Sequence, residues 1–158
     1  MRRKLSRKDG VRNINIENLQ NMDKITQNII DHSLEYASEL LNDTKQCYPF
    51  GAFIDRKGQV HPLEFEIEDK RNIPNNETVR DALTKYCEEE TKLGRMLAYG
   101  LTYEASVSLS EDESPIETIA IDIVNPNDTE LPLYYFPYEF NRNGTLIFGD
   151  TFAVRDRK

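Results

Sequence analysis

Residues 97–109, LAYGLTYEASVSL, decide the fold, because two classes of side chain alternate along this segment without interruption. Odd positions are apolar, and even positions are small or polar. Successive side chains of a β-strand point to opposite faces of a sheet, so this alternation predicts one long strand with an apolar face. Gly100 has no side chain, and we expect a bulge or a bend there.

Three more strands are predicted after this one. Residues 117–124, 131–140 and 145–154 are rich in apolar and β-branched residues, and the last two flank an Asn-Arg-Asn-Gly turn at 141–144. Such a turn between two apolar runs is typical of a hairpin. Four strands that follow one another without a helix between them favour an antiparallel sheet.

The N-terminal half of the chain predicts a long helix and a hairpin. Apolar residues recur every three or four positions over 17–46, which indicates one amphipathic helix or two abutting ones. Residues 50–54 and 60–67 have strand character and are joined by a type I turn at 55–58. This register places Phe53 beside His61.

Two further features extend this prediction. Pro62 cannot donate a backbone hydrogen bond, so we expect it at a sheet edge or a bulge. Asn75 is a typical N-cap, and we expect a second helix from there to about Gly94. The predicted buried stripe of that helix consists of Val79, Leu83, Tyr86 and Cys87.

The predicted fold class is α+β. A long N-terminal helix, a β-hairpin and a second helix precede a four-stranded antiparallel curved sheet that packs on the helices. Residues 1–14 are predicted to form a basic, disordered arm, and residues 15–158 a single domain.

Two resemblances follow from these elements. Their order, with the turn FIDRKGQV at 53–60, resembles the nuclear transport factor two and ketosteroid isomerase superfamily of cone-shaped domains. That superfamily includes enzymes, pocket binders, immunity proteins and interaction modules, so the resemblance implies a fold and no single activity. Separately, YPFGA at 48–52 and FPY at 136–138, before Gly149, resemble a set of small bacterial proteins of unknown function.

The charge distribution excludes some partners. The net charge is −8, but the first twelve residues hold six of the twenty Lys and Arg residues and one acid, which leaves −13 on the rest. Nucleic-acid binding draws most of its affinity from clustered bases, so we expect no nucleic-acid partner. Neither a secretory signal nor a membrane-spanning run of apolar residues occurs, which predicts a cytoplasmic protein without membrane contact.

The two cysteines and His61 are candidates for chemistry. Cys47 and Cys87 fit neither a disulfide framework nor a zinc spacing, so we expect both to be reduced. His61, on the apolar face of the hairpin, could act as an acid or base near neutral pH, or could simply be held by a hydrogen bond. A nucleophilic pair of Cys47 and His61 is conceivable if the hairpin folds back toward its start.

Acidic and tyrosine residues are the other candidates. Glu64, Glu66 and Glu68 share the face opposite His61, where they could protect an edge, bind a cation with Asp69 or meet a basic partner. Tyrosine gives a large contact area at low entropy cost, but it also packs well in sheets. The tyrosines considered for partner or ligand binding are Tyr99, Tyr103, Tyr135 and Tyr138, beside Tyr134.

The favoured function is a non-enzymatic protein-binding module with an acidic surface, for example an immunity or antitoxin-like protein that neutralises a basic toxin. The alternative is a small-molecule enzyme or binder with a cavity between sheet and helices, lined by Tyr99, Tyr103 and His61. Self-association as a homodimer is compatible with both. The common enzyme motifs for phosphate, serine and zinc chemistry are absent, so no catalytic residue, metal or cofactor is assigned.

Overall fold

The computed structural model describes residues 2–4, 11–13 and 23–155. The described elements, in chain order, are β1 (Arg2–Lys4), β2 (Val11–Asn13), α1 (Lys24–Thr44), β3 (Phe50–Ile54), β4 (Val60–Glu64), α2 (Asn76–Lys92), β5 (Ala98–Ser108), β6 (Ile116–Val124), β7 (Leu133–Phe140), β8 (Leu146–Phe148) and β9 (Phe152–Val154). The chain is therefore α+β, as predicted.

The sheet is larger than the predicted four strands. Seven strands pair antiparallel in the order β2, β9, β7, β6, β5, β3, β4. In addition, β8 pairs with β7, and β1 pairs in parallel with the end of β5 that β3 leaves free. The first hairpin thus extends the same sheet, because both edges of the long β5 are available for pairing.

The two helices lie on opposite sides of this sheet, whereas we expected the sheet to wrap both. Even-numbered residues of β5 face α1, since a side chain on Gly100 would meet Ile29. Odd-numbered residues such as Tyr99 cluster with Leu83 and Cys87 of α2. We call these the α1 side and the α2 side. The alternation of side chains in β5 predicts two faces, one of them apolar. It does not show that a helix packs on each of these faces.

The expected bulge at Gly100 does not form. Gly100 pairs with Ala52 and with Ile123 in continuous registers on both edges of β5. A Cβ atom at this position would lie 2.6 Å from Cγ2 of Ile29, which is shorter than a van der Waals contact allows. The glycine therefore lets α1 approach the sheet closely.

Both helices begin at side-chain caps. Asp23 accepts a hydrogen bond from the Thr26 N–H at the start of α1, and Asn75 does the same for the Thr78 N–H at the start of α2. The predicted residues 17–22 of the first helix lie outside the described residues. Tyr86 was predicted to be buried, but it is 47 % exposed.

The first hairpin has the predicted register, with Phe53 opposite His61. Its second strand ends at Glu64, not at residue 67, because the partner strand ends at Phe50, after Pro49. Asp55 and Gln59 form a hydrogen-bonded pair. Hydrogen-bonded and non-hydrogen-bonded pairs alternate along an antiparallel ladder, so Pro62 belongs to a non-hydrogen-bonded pair and its nitrogen points away from β3. As β4 ends the strand order, Pro62 stands at an edge, as expected.

The last predicted strand needs correction. The predicted strand 145–154 is split into β8 and β9. Between them, the Gly149 N–H donates to the carbonyl of Pro137, but Pro137 has no N–H to donate in return, so the ladder is interrupted. Residues 2–4 and 11–13 of the predicted arm form strands β1 and β2, and the rest of the arm lies outside the described residues. Over the described part of the chain, no helix is long and apolar enough to cross a bilayer.

Candidate functional site

Three of the tyrosines considered for binding are buried on the α2 side. Tyr99, Tyr103 and Tyr135 are 3 %, 5 % and 1 % exposed. The guanidinium of Arg80 lies 3.6 Å from the ring centre of Tyr103, and Phe152 stacks on Tyr135 at 5.1 Å. Burial, with the charge of Glu88 among lesser causes, raises the pKa of Tyr99 to about 12. These three side chains serve packing.

His61 is held by the hairpin turn. Its Nε2 lies 2.6 Å from Oδ2 of Asp55, and its ring stacks on Phe53 at 5.2 Å. Asp55 also accepts the N–H groups of Lys57 and Gln59. The backbone hydrogen bond from Gln59, and then the bond to His61, lower the pKa of Asp55. This geometry supports a structural role for His61, whose hydrogen bond to Asp55 stabilises the turn.

The conceived Cys47 and His61 pair does not form. Cys47 belongs to the cluster on the α1 side, whereas His61 stacks on Phe53, which packs on the α2 side. Burial, and to a lesser degree the charge of Glu104, raise the pKa of the Cys47 thiol to about 12. Both cysteines are free and buried, and a protonated thiol is a poor nucleophile.

The three glutamates after His61 do not act as one stripe. Glu64 accepts a hydrogen bond from the Tyr36 hydroxyl of α1, which together with burial raises the pKa of Tyr36 to about 12. Glu66 and Glu68 follow the end of β4 and are exposed. Among the described residues, no group of three or more potential metal ligands occurs.

The remaining predicted residue, Tyr138, belongs to a cluster that the sequence did not reveal. Ser106 pairs with Glu117, and Tyr138 pairs with Phe148. Pro137 pairs with Thr118, and the same register places Tyr138 next to Glu117. Four side chains on adjacent strands therefore form a row on the α1 side, near the C-terminal end of α1. We call Ser106, Glu117, Tyr138 and Phe148, together with the neighbouring Glu104, the acid-aromatic row.

Glu104 is the carboxyl group that the long strand β5 contributes to this row. It is half-buried, and it accepts a hydrogen bond from the backbone N–H of Cys47. Burial, together with the charge of Glu117, raises its pKa, while the Cys47 hydrogen bond and the positive charge of the N-terminus act in the opposite direction. A carboxyl group that is perturbed by desolvation and by a second carboxylate is a typical feature of functional sites.

Aromatic rings adjoin the two carboxylates. Burial and the charges of Glu104 and Glu117 raise the pKa of Tyr138, so its hydroxyl remains protonated at neutral pH. Tyr138 also meets Phe140 edge to face, with ring centres 6.1 Å apart, and Lys45 Nζ lies 4.2 Å from the centre of the Phe140 ring. Phe148 is 36 % exposed at the end of the row.

Two buried hydroxyls lie deeper on the same side. Thr102 precedes Glu104 by two positions on β5 and therefore shares its face. Ser33 follows Ile29 by one turn of α1, and both hydroxyl residues are fully buried. Neither Thr102 Oγ1 nor Ser33 Oγ has a hydrogen-bond partner among the described residues. Unsatisfied buried hydroxyls carry a desolvation cost and call for an explanation.

The row combines two carboxylates, aromatic faces and hydroxyl groups, which are the groups that recognise organic cations. Among residues 23–155, neither Glu104 nor Glu117 takes part in an ion pair, while β1 pairs Arg2 with Ser106 at this end of β5. The alternation in 97–109 does show Glu104 among small residues. However, its proximity to Glu117 and Tyr138 depends on cross-strand registers that the sequence does not display.

Comparison of this chain with protein-family models, with curated proteins and with solved structures returned no match. The two resemblances stated for the sequence therefore stay predictions.

Proposed function

We propose that this protein is a non-enzymatic binding module that recognises a basic protein partner through the acid-aromatic row. The observation that carries the proposal is the adjacency of Glu104 and Glu117 to Tyr138 and the exposed Phe148. Keeping two carboxylates close together costs free energy unless a cation compensates them. A basic side chain from a partner would supply that compensation.

The surface around α1 supports the same proposal. Asp31, Glu35 and Glu39 are exposed at intervals of four residues, and no Lys or Arg lies between Lys24 and Lys45. Like charges at this spacing destabilise an isolated helix slightly, by roughly 0.2–0.5 kcal/mol per pair. On the assembled protein they would attract a basic partner and accelerate its association at low ionic strength. An immunity or antitoxin-like protein that neutralises a basic toxin is one concrete version.

Capture experiments with matched variants would test this proposal. The wild-type chain and two double variants are incubated with extract of the native host at low and at high ionic strength, and captured proteins are identified. Glu104→Gln with Glu117→Gln removes both carboxylates of the row and keeps their size. Glu66→Gln with Glu68→Gln removes the same number of charges from an exposed loop and serves as the control.

We expect the wild type and the loop variant to capture the same basic protein at low salt, and the row variant to lose it. High salt should weaken the capture, because exposed charges are screened. Circular dichroism of each variant checks that the fold is kept. The proposal is refuted if no protein is captured at any ionic strength, or if both double variants bind equally.

A further inference from the structure

Two fully buried hydroxyl groups on the α1 side, those of Ser33 and Thr102, have no hydrogen-bond partner among the described residues. Three other hydroxyl side chains in the helices donate to the backbone carbonyl one turn earlier at 2.7–2.8 Å, namely those of Ser38, Thr44 and Thr84. Ser33 does not use this local partner, although it also lies within a helix. Both buried hydroxyls therefore remain available to a further polar group.

The close approach of α1 to β5 places these two hydroxyls opposite each other. Ile29 lies directly over Gly100, where an added Cβ atom would be 2.6 Å from its Cγ2. Ser33 follows one helical turn after Ile29, which is an advance of roughly 6 Å along the helix. Thr102 follows two residues after Gly100 on the same strand face, which is an advance of about 6.6 Å. The two steps match if both elements run in the same direction.

Two contacts further along the chain establish that direction. The segment after α1 reaches Cys47, whose backbone N–H donates to the side chain of Glu104, two residues beyond Thr102 on β5. Within α1, the ring of Tyr36 meets Phe50 edge to face at 4.7 Å, and Phe50 is the β3 partner of Thr102. The two hydroxyls therefore face each other across the interface between α1 and β5.

The size of the side chains at this interface leaves room for a small molecule. Ile29, Ser33, Ala37 and Leu41 follow one another at intervals of four residues on the buried face of α1. The two bulky residues at the ends of this row separate the helix from the sheet, and the two small residues lie between them. The surrounding buried cluster is apolar and uncharged, so it cannot compensate an ion.

A water molecule fits these surroundings. Buried waters typically make about three hydrogen bonds, and they occupy sites where buried polar groups lack a protein partner. Water can accept a hydrogen bond from one hydroxyl and donate to the other. Its second hydrogen can reach a backbone carbonyl of α1, because each carbonyl oxygen has two lone pairs and the helix uses one of them.

We propose that one water molecule is bound between the hydroxyls of Ser33 and Thr102 as a permanent part of the interface between α1 and the sheet. The water removes the desolvation cost that two unsatisfied hydroxyls would otherwise impose on the fold. The proposal concerns the interior of the protein and does not depend on the partner proposed above.

A double-mutant cycle tests whether the two hydroxyls act together. Ser33→Ala and Thr102→Val each remove one hydroxyl, and each single variant leaves the other hydroxyl and the water with fewer partners. The double variant removes both hydroxyls and releases the water. We therefore expect the double variant to lose less stability in urea denaturation than the sum of the single losses, with a coupling of roughly three- to tenfold in the folding equilibrium constant.

Thr118 provides a matched control. It is also fully buried, but its hydroxyl donates to the carbonyl of Ala105 at 2.7 Å. Thr118→Val should therefore combine with Ser33→Ala without coupling. If Ser33→Ala and Thr102→Val also combine without coupling, the two hydroxyls share no water, and the proposal is overturned.

A measurement on the unmodified chain detects the water itself and does not require any variant to fold. In a water–protein NOE spectrum, the methyl group of Thr102 should show a cross-peak to a long-lived water, and the methyl group of Thr118 should not. Coupling in the cycle without this cross-peak would mean that the two hydroxyls bind each other directly, which would also overturn the proposal.

Discussion

Each side of the sheet carries one helix, yet the two sides differ along β5. On the α2 side this strand contributes only buried, mainly apolar side chains from Tyr99 to Val107. On the α1 side its residues change from Ala98 and Gly100, which α1 approaches closely, to Glu104 and Ser106. One strand thus contributes to two apolar clusters on one side and to a group of polar side chains at one end of the other side.

The tyrosines show the same difference. Tyr99, Tyr103 and Tyr135 lie on the α2 side, where their rings are covered and contribute apolar contact area. Tyr138 lies on the α1 side, where Glu104 and Glu117 adjoin it. Residue type alone therefore does not separate tyrosines that are buried in a core from a tyrosine that adjoins two carboxylates. The cross-strand neighbours of each tyrosine make this difference.

The largest effect is expected from a variant that removes core volume on the α2 side, and it tests whether that side is packed. Leu83→Ala creates a cavity beneath α2, where Leu83 is 4 % exposed, and should lower the free energy of unfolding by about 2–5 kcal/mol. Leu93→Ala makes the same chemical change at a position that is 58 % exposed and should change stability by about 0.5 kcal/mol or less. Urea denaturation measures both. Similar values for the two variants would contradict a packed α2 side.

The next largest effect is expected where α1 approaches the sheet. Gly100→Ala places a Cβ atom 2.6 Å from Cγ2 of Ile29, and the resulting overpacking should cost about 1–3 kcal/mol. Alanine also reduces the entropy of the unfolded chain, which offsets part of this cost. Gly149→Ala is the control, since its Cβ atom would lie at an ordinary 3.7 Å from Pro137.

A double variant identifies the cause of that effect. Ile29→Leu moves the branch of the side chain away from Cβ and removes Cγ2. Combined with Gly100→Ala, it should therefore recover part of the lost stability, as a positive coupling in a double-mutant cycle. If the two changes instead add without coupling, the close approach of Ile29 to Gly100 is not the reason for the glycine.

Local patterns predicted much of the fold. The alternation of β5, the turn between β3 and β4, the Asn75 cap of α2 and the edge position of Pro62 all depend on neighbouring residues, and each was predicted correctly. The failures involve partners that are distant in sequence. Gly100 is a glycine because of Ile29, and β4 stops because β3 has no residue left to pair with it.

The candidate site was harder to predict for the same reason. Only Tyr138 of the acid-aromatic row was named from the sequence, because Glu104 and Glu117 stand in strands that read as ordinary half-buried β-structure. Their adjacency follows from the pairing of Ser106 with Glu117 and of Thr118 with Pro137. Conversely, Tyr99 and Tyr103 were considered for binding because local patterns predict the second helix but not that it packs over these two residues.

The smallest expected effect concerns the charge of Glu104. It tests whether the ionised carboxylate at the polar end of the α1 side lowers the stability of the folded protein. Burial raises the pKa of Glu104 in the folded protein, so between its unfolded and its folded pKa the folded state binds more protons than the unfolded state. The contribution of this carboxyl group to stability therefore decreases as pH rises through that interval, and the cost persists at higher pH. Glu104→Gln has no such dependence, while its amide oxygen can still accept the Cys47 N–H.

The melting temperature of Glu104→Gln relative to the wild type should accordingly increase from about pH 4 to about pH 7. Glu68→Gln, which removes the same charge from an exposed loop, is the reference for general charge effects. A relative melting temperature that falls with pH would mean that Glu104 is stabilised as a carboxylate within the fold, and the polar end would then need no external cation.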